Sequence, residues 1–353
     1  MFLELGFLHA IYDSTTLPID RLNAELLMVS PLRDDVNPSK PFPRERLEQA
    51  RAVDGVVDVY PLFLTRRGLW KSSGLPIEDG IRVWGFDPGD PVFRIPGFEA
   101  ARHLLERPDT ALFDRRRRDT YGGLEVGGEG LLDGRRLELV GEVELGPDLQ
   151  MNANLFVSDR TFANLFRGPE TVSRAPERVE IGLLRLPSGR DPEPVRRALA
   201  ERLPDDVVLL TPEELSRKVR AFWTRNQPVA AVFGLGLVVG FAIGVMICYQ
   251  ILFTDIVDQR AQYATLKAMG YRNGDLVLLA LRRALYLAAL AAAVGLPVAA
   301  VAYGILEGLT GLLFQLTPLR VAVVLLLTAA MCSAASLLAI REAVGADPAE
   351  LFG

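Results

Sequence analysis

Three stretches of this chain contain no charged residue at all: Val229–Phe253, Ala284–Leu306 and Val321–Ile340. A helix needs about 20 apolar residues to cross the ~30 Å of hydrocarbon in a bilayer. Three such runs in succession, divided only by short polar segments, read as three complete transmembrane spans. Pro297 inside the second run is compatible with this, because neighbouring helices can satisfy the carbonyl that proline frees. Only ten charged residues lie between Val229 and Ile340, out of 39 basic and 44 acidic residues in the chain. The rest of the sequence is therefore a polar domain attached to a membrane domain.

Basic residues in short loops orient such spans. The segment Thr254–Asp275 holds Arg260, Lys267 and Arg272, and Arg282 and Arg283 follow it, whereas Glu307–Arg320 holds only Arg320. Thr254–Asp275 is thus expected in the cytoplasm, together with a tail over 341–353, and residues 14–228 outside. An external domain needs a first span to deliver it. Met1–Ile11 is apolar but too short, so residues 1–13 are expected to be the outer end of a truncated first transmembrane helix. The expected fold class is a membrane protein: an α-helical transmembrane domain over 229–340, three complete spans plus the truncated first, with a large mixed α/β extracytoplasmic domain.

Within that domain, strands are expected at Asn23–Ser30, Gly55–Leu64, Gly80–Phe86 and Arg135–Leu145, the last after an Asp133-Gly134 turn. Helices are expected at Pro43–Val53, Phe98–Glu106 and from a Ser158-Asp159 cap to Phe166. A β-α-β unit follows over Arg178–Leu210. Thr211 with Glu214 forms a capping box for a helix from Pro212 to about Arg225. That helix reads as a stalk continuing into the first complete span, with Pro228 at the junction.

Composition removes several functions. Two Cys and two His build neither a disulfide scaffold nor a zinc-finger array, and a net charge of −5 opposes nucleic-acid binding. There is no G-x-x-x-x-G-K-[ST] loop, so the chain is not expected to hydrolyse ATP itself. No catalytic, metal-binding or cofactor-binding set emerges, and the protein is not expected to be an enzyme. Asp87-Pro88-Gly89-Asp90 reads as a turn before a metal loop, and Arg115–Arg118 as a solvated loop before an anion contact. Gly236, Gly240 and Gly244 recur every four residues, which places small residues on one helix face and points to helix packing. Cys248 and Cys332 lie within spans, as packing residues.

Asp255–Met269 is helix-compatible, Gly270 is a natural helix terminator, and Asn273 is a candidate cap for the next helix with Asp275 in its first turn. A short helix at a membrane surface, closed by a tight turn, is either a plain connection or a docking element for a soluble partner.

Gln262–Tyr271 (QYATLKAMGY) resembles the segment after the second span of FtsX/MacB-type ABC permeases, and Ala346–Phe352 (ADPAELF) is similar to their cytoplasmic ending. Further marks are similar to the DevC-type branch: LGF at Leu5–Phe7, YDS at Tyr12–Ser14, FPRERL at Phe42–Leu47, GFDPGDPVF at Gly85–Phe93, LFDR at Leu112–Arg115, VSD at Val157–Asp159 and CYQIL at Cys248–Leu252. The resemblance implies a homodimer of permeases in a bacterial inner membrane, with periplasmic domains. It implies a cytoplasmic ABC ATPase that binds ATP below, and a periplasmic adaptor and a TolC-like outer-membrane channel above. It implies export of a lipid, glycolipid or other hydrophobic substrate by mechanotransmission, with Tyr263, Leu266, Lys267, Met269 and Gly270 as the residues that couple to the ATPase. The alternative is a regulatory membrane protein that activates a periplasmic cell-wall hydrolase.

Overall fold

A computed structural model describes residues 1–36, 40–67, 70–71, 80–116, 125–132, 134–148, 151–166, 177–226 and 228–345. Arg117, Arg118, Asp133 and the Ala346–Phe352 ending lie outside them. The chain divides into two compact units. One comprises Met1–His9, Pro228–Glu307 and the chain from Phe314 onward; the other comprises Ala10–Gln227 and Gly308–Leu313.

The second unit is built on a ten-stranded mixed sheet. Its strands in chain order are β1 (Leu26–Val29), β3 (Asp58–Arg67), β4 (Trp70–Lys71), β5 (Ile81–Phe86), β6 (Thr110–Asp114), β7 (Glu129–Leu132), β8 (Arg135–Val143), β9 (Ala153–Ser158), β11 (Ile181–Arg185) and β12 (Val208–Leu210). In space they run β12-β1-β11-β3-β5-β9-β6-β8-β7-β4, while β2 (Phe42–Pro43) and β10 (Arg178–Val179) pair separately. β5 and β9 are parallel, as are β6 and β8. The β-α-β unit read from the sequence is β11, α5 (Pro192–Arg202) and β12. β1 lies between the two strands, antiparallel to both, so the unit is split.

Side chains of a strand alternate between its faces, and here both faces are covered. Leu26, Met28, Val59, Phe63, Val83 and Leu155 point to one core, shared with α2 (Glu45–Arg51), α4 (Asp159–Leu165) and α5. Leu27, Val29, Leu62, Leu64, Trp84 and Phe156 point to the other. That second core includes Phe98 and Leu105 from α3 (Phe98–Ala101) and a 3₁₀ turn (Arg102–Glu106), and Leu215, Val219 and Trp223 from α6 (Pro212–Asn226). The Phe98–Glu106 helix is therefore two short elements. Gly97, at φ +83°, starts it in a left-handed conformation that its Cβ-free backbone allows.

A buried polar hub ties the middle of the sheet together. The Asp114 carboxylate accepts from the backbone N–H groups of Arg116 (3.1 Å), Leu145 (3.1 Å) and Gly146 (2.6 Å), and from Asn154 Nδ2 (2.9 Å). Asn154 in turn accepts from Trp84 Nε1 at 3.2 Å. A buried ion pair, Arg82 Nη2 to Asp148 Oδ2 at 2.6 Å, lies beside it.

α1 (Phe2–Asp20) is one helix whose first turns belong to the helical unit. There Phe7 stacks on Phe233 and meets Phe314 edge-on, and Tyr303 donates to the Phe2 carbonyl at 2.5 Å. The rest of that unit is α7 (Val229–Asp258), α8 (Arg260–Ala268), α9 (Asn273–Thr310) and α10 (Pro318–Gly345). Three helices are long and apolar enough to cross a membrane: Ala231–Asp258, Asn273–Thr310 and Pro318–Ile340. Ala280, Ala284 and Ala288 of α9 and Ala335 and Ala339 of α10 form the buried seam with Leu252 and Ile256 of α7. Small residues let helix backbones approach where no hydrophobic drive separates helix from lipid.

The stalk helix is capped as read: Glu214 N–H donates to Thr211 Oγ1 (3.2 Å), and Thr211 N–H donates to Glu214 Oε2 (2.9 Å). That donation holds the Glu214 carboxyl below the usual range. α6 ends at Asn226 and α7 starts at Val229 with Pro228 at its cap, where a residue without an N–H costs nothing. Thr211→Ala is expected to lower the unfolding free energy by about 1 kcal/mol. Thr211→Ser should retain most of it, read from urea unfolding followed by tryptophan fluorescence.

Candidate coupling site

The polar segment between the first two membrane-length helices is a helical hairpin. Sequence reading expects one helix over Asp255–Met269; the structure divides it at Gln259. Asp255–Asp258 complete α7, Gln259 is non-helical at φ −102°, ψ 14°, and α8 begins at Arg260. No helix-breaking residue marks the division. A tertiary network holds it: Arg283 grips the Asp255 carboxylate through two nitrogens, at 2.6 and 2.8 Å. The same guanidinium donates to Gln259 Oε1 at 3.2 Å, while Gln259 Nε2 donates to Asp255 Oδ1 at 2.9 Å. A bidentate arginine–carboxylate fork fixes orientation as well as distance, so α7, α8 and α9 meet at one locked corner.

The far end of α8 closes with a Schellman turn. Gly270 N–H donates to the Lys267 carbonyl (3.0 Å) and Tyr271 N–H to the Leu266 carbonyl (3.2 Å), with Gly270 at φ +95°. α9 then starts one residue earlier than its cap was expected. Asn273 is already helical, and Arg272 holds the cap position. The Asp275 carboxylate accepts the Arg272 N–H at 2.9 Å. A carboxylate three residues into a helix reaches back to the cap amide, and that contact outcompetes the Asn273 side chain.

The five residues expected to couple fall into two groups. Tyr263 and Leu266 are half-buried and line a cleft of about 490 Å³ between α8 and α9. Met269 and Gly270 are exposed on the turn, and Lys267 is half-buried on α8. Facing Tyr263 and Leu266 across the cleft are Leu279, Arg282, Arg283 and Tyr286 of α9. Of these the sequence reading uses only the two arginines, and only as orientation signals. Their i, i+3, i+4, i+7 spacing is a signal that a search along α9 can recover. The packing glycines separate as well. Gly244 abuts Met331 of α10, while Gly236 and Gly240 lie against the Glu4 carboxylate of α1. Cys248 and Cys332 face each other, Sγ to Sγ 3.9 Å.

Other sequence candidates are structural. Asp87 Oδ1 accepts from Gly89 N–H (2.9 Å) and its carbonyl from Asp90 N–H (2.8 Å), which makes the loop a turn. His9 Nδ1 meets the Leu5 carbonyl of its own helix at 2.7 Å. Arg115 pairs with Glu144 at 2.6 Å. Among the described residues no group of three His, Cys, Asp or Glu is placed to hold a metal.

Residues 234–348 match the family described as FtsX-like permease C-terminal. No curated protein matches the chain. Solved structures that resemble it include the periplasmic region of MacB from Actinobacillus actinomycetemcomitans, with 10% identity, 57% of this chain and 95% of that one covered, and a TM-score of 0.38. Another is the extracellular domain of the noncanonic ABC-type transporter YknZ from Gram-positive bacteria, with 12% identity, 54% and 100% covered, and a TM-score of 0.37.

Gly270 sits in open space, so a side chain there meets only its own backbone strain. Gly270→Val is expected to destabilise the hairpin by about 1–3 kcal/mol, and Gly270→Asn less, because asparagine tolerates the left-handed region. Thermal unfolding of the detergent-solubilised chain reads both. In the α/β unit, burial first, then the carboxylates of Asp87, Asp159 and Asp58, push the Asp90 carboxyl up to about 6 against the pull of Arg51. The unfolded chain gives up this proton near pH 4 and the folded one near pH 6. The Asp90 contribution to stability is therefore complete below about pH 4 and lost as pH rises to about 6. Urea midpoints across that window should fall in the wild type and fall less in Asp90→Asn.

Proposed function

From the match of residues 234–348 to the FtsX-like permease C-terminal family, we propose that this chain is the membrane subunit of an ABC exporter. A partner ATPase would bind α8 and its turn, and the chain would convert that subunit's nucleotide cycle into movement of the α/β unit. The observation that carries the reading is the locked hairpin within the matched region. A short helix, half-buried on one side and exposed at Met269 and Tyr271, is joined rigidly to two helices of membrane length.

The match over 234–348 supports a multi-pass permease with an ABC ATPase partner, and a permease is not itself an enzyme. The finer points are proposals. The basic residues Arg260, Lys267, Arg272, Arg282 and Arg283 support a cytoplasmic hairpin in a bacterial inner membrane, which puts the α/β unit in the periplasm. The helices fit force transmission better than cargo conduction, since the charge-free runs lack the ionisable residues that line most ion and proton paths. A push on α8 would pass through the Asp255–Arg283 fork into α7 and α9 rather than dissipate in a loop. α7 would pass it to α6, its chain neighbour. We assign the same subunit a homodimeric assembly, a periplasmic adaptor and a TolC-like channel as partners, and a lipid, glycolipid or other hydrophobic substrate.

Leu266 lies in the last turn of α8, beside the exposed Met269 and Gly270 turn, and a carboxylate there would put an unpaired charge on the element that the partner would bind. Leu266→Asp is expected to abolish co-purification of the ATPase and transport, while the chain still extracts from membranes as a monodisperse species. Survival of both activities would sink the coupling assignment.

A further inference from the structure

The cleft between α8 and α9 carries one more feature. Its two cations are not equivalent. Arg283 is neutralised by Asp255, whereas Arg282 beside it is exposed and has no ion pair or hydrogen bond among the described residues. No carboxylate lines the cleft; the other polar walls are the amides of Gln259 and Gln262 and the phenols of Tyr263 and Tyr286. The site is thus a net positive pocket rich in hydrogen-bond donors.

Its depth is marked by the sequence. The charge-free run of α9 starts at Ala284, directly after Arg283, so Arg282 stands where hydrocarbon would give way to headgroups. Below it on α9, every fourth residue is exposed and apolar or aromatic: Tyr286 (77%), Leu290, Val294 and Val298. Residues four apart share a helix face, so these form a ridge descending from the cation into the apolar run. An exposed tyrosine at the start of that run, one turn from Arg282, is in the position of an interfacial aromatic anchor.

We propose that this cleft and ridge hold one anionic phospholipid, its phosphate on Arg282 and one acyl chain along Tyr286, Leu290 and Val294. A zwitterionic choline lipid fits less well, because the cleft offers no carboxylate for the choline cation. Basic pockets between helices at the cytoplasmic side are suited to anionic headgroups. The inference rests on the reading of the chain as a membrane protein with its hairpin in the cytoplasm, and is independent of whether an ATPase binds α8.

The test is native mass spectrometry of the full chain from mild detergent, titrated with phosphatidylglycerol or phosphatidylcholine. The wild type is expected to retain one phosphatidylglycerol in preference to phosphatidylcholine. Arg282→Gln should weaken that retention about fivefold, the factor for ~1 kcal/mol per basic residue at an anionic surface. Arg282→Lys should restore most of it, and Arg272→Gln, on the turn outside the cleft, should change nothing. Equal retention of both lipids, or no effect of Arg282→Gln, would overturn the proposal. So would displacement by excess inorganic phosphate, which marks a free-anion site, or loss of ATPase co-purification in Arg282→Gln with lipid retention unchanged, which marks a protein-binding cleft. A chain that fails to enter lipid nanodiscs would overturn the membrane reading itself, a result distinct from each of these.

Discussion

Hydrocarbon offers no hydrogen-bond partner, and that constraint sorts the chain. Each backbone amide inside a bilayer must be satisfied within its own helix, and the apolar runs Val229–Phe253, Ala284–Leu306 and Val321–Ile340 lie in helices long enough for that, with little room for chemistry. Polar function is displaced to the helix ends. The hairpin between α7 and α9 is where that displaced polarity collects, and it is ordered by one bidentate pair, Asp255 with Arg283. At the same corner Gln259 leaves the helical conformation while it bonds to both members of the fork, and α8 stands as an element separate from α7.

The α/β unit solves a different problem. The middle of the sheet is covered on both faces, and β5, β6 and β9 are buried along their whole length, whereas β7 and β8 keep exposed or half-buried polar residues such as Glu129, Arg135 and Arg136. The central strands have no solvent side on which to place polar groups, so the polar groups they keep must be satisfied internally. Asp114 meets that requirement by accepting from three backbone amides and Asn154. Its burial pushes the carboxyl upward while those four donors pull it down, and the hub joins β5, β6, β9 and the loop after β8 in one network. The hub is a structural device rather than a chemical one.

These two solutions divide the labour in the proposed machine. The α/β unit is held by a two-sided core and by the Asp114 hub. The helical unit is held by an alanine seam between α7, α9 and α10, whose contacts are many and individually weak. Such seams permit small sliding adjustments, while the hairpin corner is fixed by charge.

Membrane-length helices, the capping box at Thr211, the Ser158 cap and the glycine turn at Gly270 were legible from residue types and local spacing, because each depends on contacts within a few residues. Strands β6 (TALFD) and β9 (ANLFVS) were not, because burial on both faces erases the period-two alternation by which a strand is recognised. The break at Gln259 and the start of α9 at Asn273 were also hidden, since an arginine 24 residues away in sequence decides the first and competition between two side chains the second. Apolar content alone thus determined that this chain carries membrane-length helices beside a polar domain. Which arginine is paired and which is left open, and which face of α8 is presented, were decided only when distant helices came together, because an ion pair exists in space and not in spacing.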